Sequence, residues 1–352
     1  MIRIKWYLLV LLLIGTSFAF SGTGLPADSI RVTRVWDKEP HNAFPDLVQF
    51  KDYFYITFRE GANHVGNENN GKVRIVRSKN RKDWESVALF DMDAEDVREA
   101  RLSVRPDGTL MAIVAAGIFK DGRYLTLAPY VSVSDKSGTH FSEPEKTTFS
   151  KEITPALDWI WRITWHKGVG YGIMYTADYK TVDGKRVRTM SARLLKTKDG
   201  KYYENVPGFD LDGSPNESTI RFDKNDQMYV LVRRETGDQM GVLAVSDFPY
   251  NQWKYNKLSV RLGGPNFQFL GSDRLIIGSR LHEGKEASTA LHVTDLEGKI
   301  LKIMKLPSNG DSSYPGLIVE KSQLYVAYYS SHEGKAIIYQ TQIPLKDLQT
   351  GR

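Results

Sequence analysis

Six times along this chain a polar cluster is followed by an apolar run of strand length, a tight turn, and a second apolar run that ends in another polar cluster. The first runs centre on Leu47, Leu102, Ile163, Ile220, Phe267 and Leu317. The turns after them are Lys51-Asp52, Pro106-Asp107-Gly108, Lys167-Gly168, Lys224-Asn225-Asp226, Gly271-Ser272-Asp273 and Lys321-Ser322. Successive copies lie 55, 61, 57, 47 and 50 residues apart. A period of about fifty with strand-turn-strand content predicts a β-propeller, because one blade cannot bury both faces alone and must stack on neighbours around an axis. Six copies predict an all-β, six-bladed propeller.

Five of the segments that lead from one blade to the next carry a turn motif: Ser78-Lys79-Asn80 before Trp84, Ser134-Asp135 with Gly138 before Phe141, Thr197-Lys198-Asp199-Gly200 before Tyr203, Ser246-Asp247 before Trp253, and Thr294-Asp295 with Gly298. Hydroxyl and carboxylate or amide groups bond the backbone of a tight turn, glycine supplies positive φ, and the aromatic packs between sheets, so these motifs are structural. The sixth copy lacks one, since the chain ends after a third strand, Ala336 to Ile343. The alternating segment Ile30 to Trp36 would supply the missing outer strand and close the ring.

The first 21 residues read differently. Arg3 and Lys5 precede an apolar run from Trp6 to Ile14 and the small-residue stretch Ser17-Phe18-Ala19, the pattern of a cleaved secretory signal peptide. The expected organisation is residues 1–21 as signal peptide and 22–352 as one propeller domain, periplasmic or secreted, with no membrane span after cleavage. Cysteine is absent, which excludes disulfides, thiolate catalysis and Cys-ligated zinc. The formal charge of +6 falls by two with the leader, a mild excess that suits an anionic glycan. The basic residues are dispersed, which argues against nucleic acid.

If each inner strand runs away from one face and the second strand returns to it, the polar clusters meet at that face, where a ligand site belongs. They contain His41, Asn42, Asp46, Arg59, Glu60, His64, Asp96, Arg98, Glu99, Arg101, Asp158, Trp159, Trp161, Arg162, Asn216, Glu217, Arg233, Arg234, Glu235, Pro265, Asn266, Arg280, His282, Asp311, Tyr314, Ser331, His332 and Glu333. Arg59, Arg98, Arg162, Arg233, Arg280, Asn266, His332 and Glu333 are the expected substrate contacts. Four of the seven histidines fall here, yet no His-x-x-x-His spacing occurs, so neither a metal nor another cofactor is expected.

Two segments carry a family resemblance. Ser214-Pro215-Asn216-Glu217 followed by Arg233, and Ser313-Tyr314-Pro315-Gly316-Leu317, resemble the sialidase superfamily, six-bladed propellers with repeated Asp-box turns. The likeness spans the mature chain in architecture and about half of the blades in motifs. It implies Tyr314 as nucleophile, Glu217 as its base, and Arg233, with Arg280 or Arg98, holding an acidic substituent by bidentate bonds. A neutral tyrosine suits a sugar with a carboxylate on its anomeric carbon, which would repel a carboxylate nucleophile. Two departures stand out. The stretch Ala43-Phe44-Pro45-Asp46-Leu47 lacks the arginine that sialidases place there, and the loop from Gly61 to Gly71 lacks their acid/base aspartate. His64 or Glu68 would serve as proton donor instead.

The expected activity is therefore that of a secreted exo-acting glycoside hydrolase that removes a terminal acidic sugar. Two alternatives keep the fold: a lyase or His-dependent glycosidase using His64 or His332 on another glycan, and a propeller that only binds glycans. A fall in Tyr314→Phe activity on a verified substrate separates the first reading from the others.

Overall fold

The structure is a computed structural model that describes residues 30–65, 68 and 70–349. The expected signal peptide lies outside the described residues. Six sheets, antiparallel except where Thr148–Phe149 adds a short parallel edge to blade 3, form a six-bladed β-propeller. The inner strands are His41–Phe50, Asp96–Val104, Leu157–His166, Pro215–Phe222, Asn266–Phe269 and Ser312–Glu320, and each contains the apolar centre expected of it. The ring closes as the alternation of Ile30 to Trp36 implies. Val32–Trp36 pairs antiparallel with Ile337–Pro344, so the first and last strands share the sixth blade.

The apolar residues do not form one central core. They form six clusters, five in wedges between adjacent blades and a sixth that fills the wedge between blades 6 and 1 and continues across the axis to blades 2 and 3; the filling of both faces of a blade follows from the period of two along a strand. In the second strand of blade 4, Met228, Val230 and Val232 face blade 3, while Tyr229 and Leu231 face blade 5. Both faces of every blade are thus buried, which explains why the strands read as nearly continuous apolar runs. The linking turns are capped by their side chains: Asp135 Oδ1 accepts from Thr139 N at 2.9 Å, Asp199 Oδ1 from Lys201 N at 2.8 Å and Asp295 Oδ1 from Lys299 N at 2.8 Å.

Five inner strands carry a bulge at the same level. Between Ala43 and Asp46, Arg98 and Arg101, Ile160 and Ile163, Pro215 and Ser218, and Ser313 and Gly316, two residues oppose one on the second strand. A bulge bends its strand and re-aims side chains. The inserted pairs include Phe44, Glu99, Trp161, Glu217 and Tyr314, and three of these residues have positive φ: Phe44 at 59°, Glu99 at 52° and Tyr314 at 55°.

Below this level the axis is held by charge. Arg162 donates two bonds to Asp46, of 2.7 and 2.9 Å, and Asp46 Oδ2 also accepts from Leu102 N at 2.9 Å, so one buried carboxylate joins blades 1, 2 and 3. Arg221 lies nearby, its pKa pushed down to about 9 by burial and then by Arg162. Removing one member of such a buried pair leaves the other charge uncompensated, here two guanidiniums. Asp46→Ala should therefore cost about 3–5 kcal/mol in urea unfolding, and a loss under about 1 kcal/mol would show that the axis does not depend on this carboxylate.

Candidate active site

The bulges of blades 2, 4 and 6 deliver Glu99, Glu217 and Tyr314 to one cavity of about 310 Å³. Its walls also include His64, Arg98, Tyr124, Trp159, Tyr175, Arg188, Met190, Asn216, Arg233 and Glu235. A larger groove of about 870 Å³ between blades 2 and 3 shares Tyr124, Leu127 and Ala177 with it, but gathers no paired nucleophile and base.

Glu217 is the hub. Its Oε1 accepts the Tyr314 hydroxyl at 2.5 Å, and its Oε2 accepts Arg233 Nη1 and the Gly264 amide, both at 2.8 Å. Gly264 is required there: its φ is 59°, and a Cβ would stand 2.5 Å from the Tyr314 ring. Burial works against the Glu217 charge, but Arg233, the tyrosine hydroxyl and the amide together hold its pKa below the usual carboxylate value. Tyr314 is pushed well above its ordinary value by burial and by the charges of Glu217 and Glu99, so it is a neutral phenol hydrogen-bonded to a carboxylate. Arg233 is braced on its far side by Glu235, which also takes Asn216 Nδ2 at 3.1 Å.

Glu99 has the opposite environment. Burial raises its pKa against the opposing pull of Arg98, and the charge of Glu217 raises it further. Its contacts are long, 3.4 Å from Arg98 Nη2 and 3.9 Å from Arg101 Nη2, and its Oε2 has no hydrogen-bond partner. Two carboxyls in one cavity with pKa values driven apart are the arrangement from which acid and base roles arise.

Of the residues expected as catalytic groups or substrate contacts, Tyr314, Glu217, His64, Arg98 and Arg233 line the cavity. The others do not. Arg59 is committed to Asp96 and to the carbonyl of Asn63. Arg162 clasps Asp46 and lines the mouth at the opposite end of the axis. Arg280 turns to the carbonyl of Ser312. Asn266 joins Arg221, Pro315 O and Phe267 N, fastening blades 4, 5 and 6. His332 packs on Tyr339, and Glu333 meets Arg34 of the closing strand, both at the outer part of blade 6. Glu68 is exposed on the blade 1 loop.

His64 is tied by Nδ1 to Asp311 Oδ2 at 2.8 Å, and the Phe44 ring lies 4.9 Å from both His64 and Tyr314. Trp161 is buried beneath Arg101, 4.2 Å from its guanidinium, and offers no sugar platform. Glu99 stood among the mouth residues in sequence without a role, since only the bulge reveals its aim. Arg188 was missed because it lies in the long blade 3 hairpin, Val169–Val182 with Lys185–Thr197, whose tip reads as a solvated charge run. Among the described residues it has no carboxylate partner.

No family model and no curated protein matches this chain. Solved structures do. A Dyadobacter fermentans protein of unknown function superposes with a TM-score of 0.75 at 17% identity, covering 89% of this chain and 97% of that one. Trypanosoma rangeli sialidase in complex with the inhibitor DANA gives 0.64 at 13% identity over 88% of this chain, which spans 56% of the sialidase. The phage phi92 endosialidase gives 0.64 at 10% identity, covering 90% of this chain and 69% of that one. These likenesses establish a shared propeller fold.

The environment of Glu99 sets a sign for stability. A carboxyl whose folded pKa is raised favours folding fully below its unfolded value, and that contribution is lost as pH rises through the folded value. Glu99→Gln should accordingly raise Tm at pH 8 and lose this advantage near pH 4. A lower Tm for the variant at pH 8 would contradict the assignment.

Proposed function

We propose that the protein is an exported exo-acting glycoside hydrolase that removes one terminal acidic sugar by a retaining mechanism, with Tyr314 as nucleophile. The observation that carries this is the 2.5 Å bond from the Tyr314 hydroxyl to a carboxylate that Arg233 and a backbone amide hold ionised. The cavity, about 310 Å³, lies at the small end of ligand sites and suits one sugar ring rather than a chain.

The proton of Tyr314 cannot move to Glu217 in the resting site, because their pKa values are displaced in opposite directions. It moves as positive charge develops on the anomeric carbon and the phenol oxygen begins to bond there. Glu99, the carboxyl biased toward its neutral form, donates a proton to the departing oxygen, then acts as base toward water when the glycosyl-tyrosine is hydrolysed. Arg188 and Arg98 supply positive charge on the wall of the sugar pocket. Arg98 is already engaged with Asp96 at 2.8 Å, which leaves Arg188 as the guanidinium available to the acid group of the sugar.

A released-sugar screen against sialylated, ulosonic-acid and uronic-acid glycans identifies the substrate; turnover of none of them would sink the reading. On that substrate, Tyr314→Phe should lower kcat by about 10² or more and Glu217→Gln by a comparable factor. The double variant should fall little further, because the pair acts as a unit. Near-normal turnover by Tyr314→Phe would reject this mechanism. Glu99→Gln should be slow on natural glycosides but recover on an aryl glycoside whose leaving group needs no proton. Arg188→Ala should raise KM about tenfold with kcat nearly unchanged, a pattern that marks loss of binding common to ground and transition states.

A further inference from the structure

Outside the tyrosine-glutamate pair, one cluster brings three metal-competent side chains to a point. His41 opens the inner strand of blade 1, His64 lies on the loop after that blade's second strand, and Asp311 immediately precedes the inner strand of blade 6. His41 Nε2 stands 2.9 Å and His64 Nδ1 2.8 Å from the same oxygen, Asp311 Oδ2, and the ligand atoms all fall within 4.8 Å of one another. The other carboxylate oxygen accepts the Tyr329 hydroxyl at 2.6 Å and lies 3.9 Å from Arg280, which fixes the direction in which Oδ2 faces. The cluster borders an open cavity of about 640 Å³, which provides an entry path.

From this geometry we propose that His41, His64 and Asp311 bind one divalent transition-metal ion, with zinc the best fit, and that the ion clamps the first blade to the last. Two imidazole nitrogens and a carboxylate oxygen are the ligands zinc takes, leaving a position for water. Tetrahedral zinc at about 2.1 Å from each ligand needs neighbouring ligand atoms about 3.4 Å apart, so each histidine has to draw back from Asp311 Oδ2 by roughly 0.5 Å. Tyr329 is the outer-shell group that holds the carboxylate in place. The ion bridges positions 270 residues apart, between the first blade and the last, whose outer strand is supplied by the N-terminal segment. The hard ions calcium and magnesium, which want more oxygen ligands, do not suit the set. This site is independent of the glycosidase reading.

The test is titration calorimetry of the chelator-treated full chain, free of any tag histidines, with zinc chloride, together with melting curves. One zinc per chain and a saturable rise in Tm are expected, with no response to calcium or magnesium. His64→Ala, at a half-exposed position where folding is not at risk, should weaken zinc binding about tenfold or more, as should Asp311→Asn, while His332→Ala should leave it unchanged. Absence of saturable zinc binding would overturn the proposal, and so would equal binding by the His64→Ala and Asp311→Asn variants or an equal response to calcium.

Discussion

The two-against-one bulge repeated in the inner strands is the constraint from which the site follows. A regular strand would alternate its side chains into the wedges on either side, and the mouth of the axis would be lined by backbone. The extra residue breaks that alternation at one level of the ring, turning Glu99, Glu217 and Tyr314 toward a common space. Left-handed backbone at Phe44, Glu99 and Tyr314 costs on the order of 1 kcal/mol each, and six interblade clusters supply the packing that holds it. Blade 5 meets the same demand with Gly264, whose amide then completes the Glu217 carboxylate.

Charge around the cavity is arranged to keep two carboxyls unlike. Glu217 is given every stabiliser of its anion: a guanidinium, an amide and a phenol. Glu99, two blades away, has only long contacts to arginines that are engaged elsewhere, Arg98 with Asp96 and Arg101 with the carbonyls of Phe44 and Pro45. Preorganisation of this kind is expensive to the fold and useful only where charge moves, which is why the same residues carry the strain and the displaced pKa values.

The architecture was legible because it is periodic: six apolar centres, five capped turns and an unpaired alternating segment define blade number and closure without reference to any one side chain. The Tyr314–Glu217–Arg233 group was legible through resemblance. What sequence position could not give was depth along the axis. Arg162 and Glu217 both occupy the second place of a bulge, yet Arg162 points down to Asp46 and Glu217 into the cavity, a difference that depends on what the neighbouring blades present. Arg59 and Arg280 lie off the cavity for a related reason, since each has a nearer acceptor in the adjacent blade. The His41–His64–Asp311 group joins the two ends of the ring and has no local spacing to betray it.

Phe44 bears on which acidic sugar suits the proposed reaction. Its ring lies 4.9 Å from that of Tyr314, so the surface beside the proposed nucleophile on that side is apolar. A carboxylate forced against that ring loses hydration without gaining a partner, a penalty of several kcal/mol. Arg280 does not compensate, being bonded to the Ser312 carbonyl, and Arg233 is shared between Glu217 and Glu235. Arg188, on the blade 3 hairpin, lines the cavity with no carboxylate partner among the described residues. For the proposed substrate, an acid group remote from the anomeric carbon therefore fits the charge distribution better than one attached to it.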